Sequence, residues 1–274
     1  MPKKRKRKQA LKKSNKFTAL IIILVAGIIM SRFLAPATVD GTTHYSQELC
    51  VPRFCDGTEH QIVKHAGYIL SYNNDTRNAD WVGYELTAEE VQGVVERGEN
   101  FVPDPLVRGP QAADSDYRKT GWDRGHLAPA ADMKWSKQAM EESFYLSNVS
   151  PQNKQLNRGT WKKLEELCRD KAELYGKVII VTGPLFYDKK PRYIGDNRVR
   201  VPDAFFKVLL SDYRGTHRAI GFVCDNKSGK SKLKEHALNV DAIEELTGLD
   251  FFHQLPDSIE HTMEAGYSAA FWGI

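Results

Sequence analysis

Between Lys177 and Asp225 three apolar strand patterns follow one another, "KVIIVTGPLF", "VRVPDAFFKVLLS" and "HRAIGFVCD", with no helical pattern between them. Earlier in the chain "HAGYILSYN" and "WVGYEL" read as two more strands, joined by the turn-rich "NDTRNAD". Helical patterns stand apart from these. Thr87 and Glu90 form a capping box opening "TAEEVQGVVER". "RGTWKKLEELCRDKAELYG" stops at Gly176, and "NVDAIEELTG" at Gly248. "FYLSNVS" reads as a short strand that runs into a Pro-Gln turn. Strands and helices without strict alternation indicate an α+β fold, a central antiparallel or mixed sheet flanked by helices. No internal repeat is present.

Charge is unevenly placed. The formal net charge is +4, but residues 1–16 hold nine Lys and Arg and no acid. Removing those nine from 39 leaves 30 basic side chains against 35 acidic ones, so the body carries −5. A body of that charge binds a polyanion only through a local basic site. Behind the basic tail comes "FTALIIILVAGIIM", fourteen uncharged residues between Lys16 and Arg32. This layout predicts a single N-terminal apolar helix over 17–35, acting as a membrane anchor with the rest extracytoplasmic. Cleavage near Ala37, giving a secreted product, is the alternative. Residues 36–60 read as a linker and a Cys-closed loop leading into a domain at 61–274. Cys50 and Cys55, in "CVPRFC", are expected to form a disulfide in that setting. Cys168 and Cys224 sit in helix and strand patterns and read as buried apolar residues.

The chemistry-bearing residues cluster in two places. "TGWDRGHLAPAADM" puts Arg124 and His126 two apart, on one face of an extended segment, with Asp123 on the other. Downstream, "NVSPQNKQLNRGTWKKLEELCR" supplies Asn148, Asn157, Arg158, Glu165 and Arg169. On a helix begun near Asn157, steps of about 100° place Asn157, Glu165 and Arg169 within one arc. A helix start at Asn157-Arg158-Gly159 would offer free N–H groups to an anion. Imidazole, amide oxygen, carboxylate and several arginines match the needs of phosphodiester hydrolysis. Those needs are a base for water, a hard cation at the leaving oxygen, and charge at the phosphorus.

"DRGH" followed by "N-x-x-P-Q-x-x-x-L-N-x-G-x-W-x-x-L-E" resembles the DNA/RNA non-specific endonucleases. These are ββα-metal nucleases of the secreted bacterial and endonuclease G type. The similarity runs from about His65 to Leu255. It implies His126 as general base, Asn157 as direct ligand of Mg²⁺ (or Mn²⁺), and Glu165 as holder of the metal's waters. It further implies Arg124 beside the phosphate, Arg169 on the helix, and Asn148 as a supporting amide near the metal. Arg97 matches a transition-state arginine, with Arg77 a weaker candidate; Arg124, Arg97 and Arg158 are the substrate-binding set. DNA and RNA are the implied substrates. Two rivals stay open: a non-catalytic, membrane-tethered nucleic-acid receptor, and an enzyme for another phosphodiester. Asp123 reads as structural, Trp161, Trp135 and Tyr145 as core, and His65 and His217 as non-ligands.

Overall fold

The computed structural model describes residues 48–227 and 231–274. At its centre lies a seven-stranded sheet in which every neighbouring pair is antiparallel. In chain order its strands are β1 (Gln61–Lys64), β2 (Ile69–Asn73) and β3 (Asn78–Thr87), then β6 (Lys177–Leu185), β7 (Ala204–Tyr213), β8 (Thr216–Asp225) and β9 (Ala237–Leu238). Their spatial order is β9-β8-β7-β6-β3-β2-β1. The three apolar patterns are therefore β6, β7 and β8, adjacent at the middle. Of the antiparallel or mixed arrangements expected, the antiparallel one forms, with β1–β2, β2–β3 and β7–β8 joined by short turns as hairpins.

β7 shows how the sheet splits the core. Phe205 and Leu209 enter one hydrophobic layer, while Phe206, Val208 and Leu210 enter the other. This is the period-two alternation of a strand covered on both faces. The first layer is closed by α1 (Lys162–Tyr175), whose Leu164, Leu167, Cys168 and Ala172 fall on one helical stripe. Gly176, at φ 90°, ends that helix as expected. The second layer is closed by α2 (Val240–Thr247) and α3 (Asp257–Glu264), through Val240, Ile243 and Met263. Cys168 and Cys224 are both fully buried, as read from their patterns.

Three local expectations are corrected. The capping box at Thr87 and Glu90 forms, yet its helix is a single turn, Ala88–Val91. The chain leaves the helix because Gly93 packs on the backbone at Lys134, where a Cβ would lie 2.3 Å from the carbonyl carbon. In "FYLSNVS" the strand starts only at Val149 and continues through Pro151 and Gln152, after a short turn at Leu146–Asn148. No disulfide joins Cys50 and Cys55. Cys50 is buried beside Leu49 and Trp81, while Cys55 is exposed. Between them Arg53–Phe54 is extended and paired with Leu249–Asp250, which keeps the loop open. The apolar segment at 17–35 and the basic tail lie outside the described residues.

Candidate active site

A second, two-stranded ribbon carries the "DRGH" motif. β4 (Asp123–His126) pairs antiparallel with β5 (Val149–Gln152), His126 opposite Val149 and Asp123 opposite Gln152. Gly125 is required by space. A Cβ there would sit 2.4 Å from Gln152 Oε1 and 2.5 Å from Gln152 Cβ. The exit of the motif is clamped by Asn148, which is fully buried. Its Oδ1 accepts from the Ala128 N–H (2.9 Å), and its Nδ2 donates to the Ala128 and Ser143 carbonyls (2.8 and 2.9 Å). The amide is thus spent on backbone. Any support it gives a metal passes through the loop that holds His126.

His126 is 8% exposed, its ring 5.3 Å from Phe101 and 5.1 Å from Phe144 between centroids. Nε2 is buried without a hydrogen-bond partner among the described residues. Burial, and secondarily the Arg97 guanidinium, push the imidazole pKa down to about 3. The ring is therefore neutral at physiological pH, the form that accepts a proton. Arg97 is exposed, in irregular chain, with its guanidinium 5.2 Å over the Phe144 ring. It acts electrostatically on both His126 and Glu165. Arg124 pairs with Asp114 at 2.5 Å and lies 5.4 Å from the rings of Phe101 and Tyr117.

The helical partner begins a turn earlier than expected. Asn153 caps a short turn at Lys154–Leu156, and the Asn157 N–H already donates to the Asn153 carbonyl at 2.9 Å. The free N–H groups expected at Asn157-Arg158-Gly159 are therefore not a helix start. Residues Asn157–Trp161 instead form one wide π-turn before α1, a feature often found at functional sites. Asp123 joins ribbon to helix. Its carboxylate accepts from Asn157 Nδ2 at 3.2 Å and from Arg158 at 2.9 and 3.1 Å. With Nδ2 so held, Asn157 Oδ1 has no hydrogen bond among the described residues.

Glu165 and Arg169 lie one turn apart on α1, beyond the π-turn that carries Asn157. They form no ion pair with each other. Arg169 donates to Asp132 at 2.7 Å, and Asp132 also accepts from the Tyr84 hydroxyl at 2.8 Å. Burial raises the Glu165 carboxyl to about 8, with Asp132 adding to the rise and Lys207, Arg169 and Arg97 opposing it. Sequence reasoning missed Asp132 and Lys207. Lys207 is fully buried on β7, its Nζ 4.8 Å from the Trp161 ring and 3.5 Å from the Leu127 carbonyl. The signal was available: a lysine inside the apolar run "AFFKVLLS" has to be answered by something.

The other candidates sort simply. Arg77 is used in its own turn, donating to the carbonyls of Asn74 and Asp75. Trp161 is core, but Trp135 is 37% exposed, against expectation. Tyr145 is half-buried beside His65, whose Nε2 is 2.8 Å from Asp104. Asn157 Oδ1 and the Glu165 carboxyl each offer oxygen donors only. Such donors suit a hard divalent cation and not a soft one.

Comparison with known proteins places the chain in a family. The profile of the DNA/RNA non-specific endonucleases matches residues 46–258. The chain is 36% identical over 211 residues to mitochondrial endonuclease G of Bos taurus, covering 73% of this chain and 66% of that protein. It is 41% identical over 166 residues to mitochondrial endonuclease G of Homo sapiens, covering 57% and 56%. With the mitochondrial nuclease of Saccharomyces cerevisiae it shares 34% over 230 residues, covering 74% and 68%. The chain thus spans two thirds or less of the length of the two endonuclease G proteins. A chain of the crystal structure of the EndoG/EndoGI complex superposes with a TM-score of 0.65 at 28% identity, covering 78% of this chain and 92% of that one. The chain belongs to the DNA/RNA non-specific endonuclease family.

These relatives overturn the expected location. They are mitochondrial by name, which speaks against a membrane-anchored or secreted protein. Among the described residues no helix is long and apolar enough to cross a membrane. The expectation came from charge asymmetry around residues 17–35, and such asymmetry is not unique to export or anchoring.

Proposed function

We propose that the domain at 61–274 is a divalent-metal-dependent, sequence- and sugar-non-specific nuclease of the ββα-metal type, hydrolysing DNA and RNA. The observation that carries this reading is the Asp123 bridge. One four-residue strand bears the His126 imidazole and also holds the amide of Asn157. A Mg²⁺ or Mn²⁺ ion would be held directly by Asn157 Oδ1 and through water by Glu165, and would supply Lewis-acid stabilisation to the leaving oxygen.

The protein's own groups do the rest. His126, kept neutral by burial and by Arg97, takes the proton of the attacking water. Phe101 and Phe144 hold its ring in place. Asp123 engages the Nδ2 end of the Asn157 amide, which leaves Oδ1 for the metal, and anchors Arg158. Arg124, Arg97 and Arg158 gather the phosphate charge. Arg169 is a positioning residue, locked on Asp132 under the helix. Contacts confined to the backbone carry no base information, which accounts for the absence of sequence preference.

The receptor reading fits poorly: its relatives are named nucleases, and a body charge of −5 disfavours broad affinity. The test is incubation of plasmid and total RNA with the protein in Mg²⁺, then with EDTA. Both polymers should be cut to fragments with 5′-phosphates in Mg²⁺ and stay intact in EDTA. Binding without cleavage in Mg²⁺ would favour the receptor, and cleavage only of small diesters the other enzyme.

A further inference from the structure

On the sheet face opposite α1, the start of α2 is tied to the end of α3. Asn239 caps α2 by accepting from the Ala242 N–H at 3.3 Å, and its Nδ2 donates to the Ala265 carbonyl just past α3, at 3.1 Å. This tie gathers three carboxylates, Asp241 and Glu244 from α2 and Glu264 from α3. One ligand oxygen of each lies within 4.8 Å of the others. Asp241 is exposed, Glu244 half-buried, and Glu264 only 3% exposed.

Glu264 makes this more than a patch of surface acids. Its Oε1 is buried and has no hydrogen-bond partner among the described residues, and it belongs to a carboxylate turned toward the other two. The groups that act on it, Glu244, Glu260, Asp241 and Asp250, are all acidic. Arg53, which lies near the cluster, is bonded to Asp250. Glu244 gives one oxygen to the Phe251 N–H at 2.8 Å, which leaves the other for the cluster. A buried carboxylate facing only like charges is costly unless something positive completes the site.

We propose that Asp241, Glu244 and Glu264 form a second cation site, which takes a hard divalent ion of the Ca²⁺ class and clamps α2 to α3. Three carboxylates converging from two helices suit the larger ion with its loose, oxygen-only coordination. Mg²⁺ keeps most of its waters and usually takes one or two carboxylates. The role is structural. An ion bound only by the folded chain stabilises it by mass action, across the sheet from the nuclease chemistry.

The test uses the full chain carrying Asn157→Ala, so that the nuclease site's own metal affinity is removed. Ca²⁺ is titrated in by calorimetry, and Tm is followed up to ~10 mM Ca²⁺, which covers weak sites of this kind. The expected result is one bound ion and a rise in Tm. Adding Glu264→Gln or Glu244→Gln should weaken binding on the order of tenfold or more and remove the Tm rise. Glu264→Gln should also melt no lower than its parent in EDTA, since it relieves a buried charge. No heat and no Tm change with Ca²⁺ would overturn the proposal, as would an equal response in both variants.

Discussion

His126 sits in a buried, aromatic socket, and its neutrality comes from that burial more than from any one partner. Asp123, three residues before it, holds the Asn157 amide and Arg158. Asp123→Asn weakens the hold on Asn157 Nδ2 and removes the charge that anchors Arg158. The expected outcome is a Mg²⁺ requirement raised about 10- to 100-fold with a smaller change in rate at saturating metal, read from Mg²⁺ titration of cleavage. Lys207 opposes the rise of the Glu165 carboxyl. Lys207→Met therefore moves that pKa above about 8, and the acid limb of the pH–rate profile should shift to higher pH. Movement the other way would remove Lys207 from the site. At this scale the motif residues were legible, because the chemistry needs their types at fixed order. Asp132 was not, since it is defined by partners far off in the chain, Arg169 on α1 and Tyr84 on β3; Lys207 stood out in its apolar run, but its partner, the Trp161 ring, did not.

The β4–β5 ribbon depends on strand approach at Gly125. Gly125→Ala drives a methyl into the Gln152 side chain, so the ribbon must open and carry His126 with it. Cleavage should fall by more than about tenfold while Tm drops by only a few degrees, as for an overpacking change of ~1–3 kcal/mol. Equal activity would mean that the ribbon's spacing does not set the site. The long apolar strands and α1 were readable from periodicity and glycine stops. The π-turn at Asn157–Trp161 was not, because its extra residue leaves the apolar stripe of α1 unchanged. The helix after Thr87 was overread for a related reason. Its capping box is local, whereas the contact that ends it, Gly93 on the Lys134 backbone, is tertiary.

Across the molecule, buried titratable groups shape stability in opposite directions. His126 has a folded pKa of about 3 against ~6.5 unfolded. Its contribution is present above pH ~6.5 and is lost as pH falls toward 3, because only the unfolded chain takes the proton. His126→Gln should therefore flatten the decline of Tm between pH 6.5 and 4. Glu244 and Glu264, raised by burial to about 7 and about 9, behave in the reverse sense. Their contribution is full below pH ~4.5 and is lost as pH rises through those values, so in EDTA Tm should fall toward pH 9. Charge distribution was legible from sequence, location was not: a basic tail before an apolar run is compatible with several destinations.

The most direct measurement compares single-turnover cleavage of plasmid DNA by wild type and His126→Ala in Mg²⁺, with Tm and DNA affinity recorded for both. A loss of about 10²- to 10⁴-fold in rate with unchanged affinity is the predicted result. A folded His126→Ala protein that cuts at the wild-type rate would contradict it.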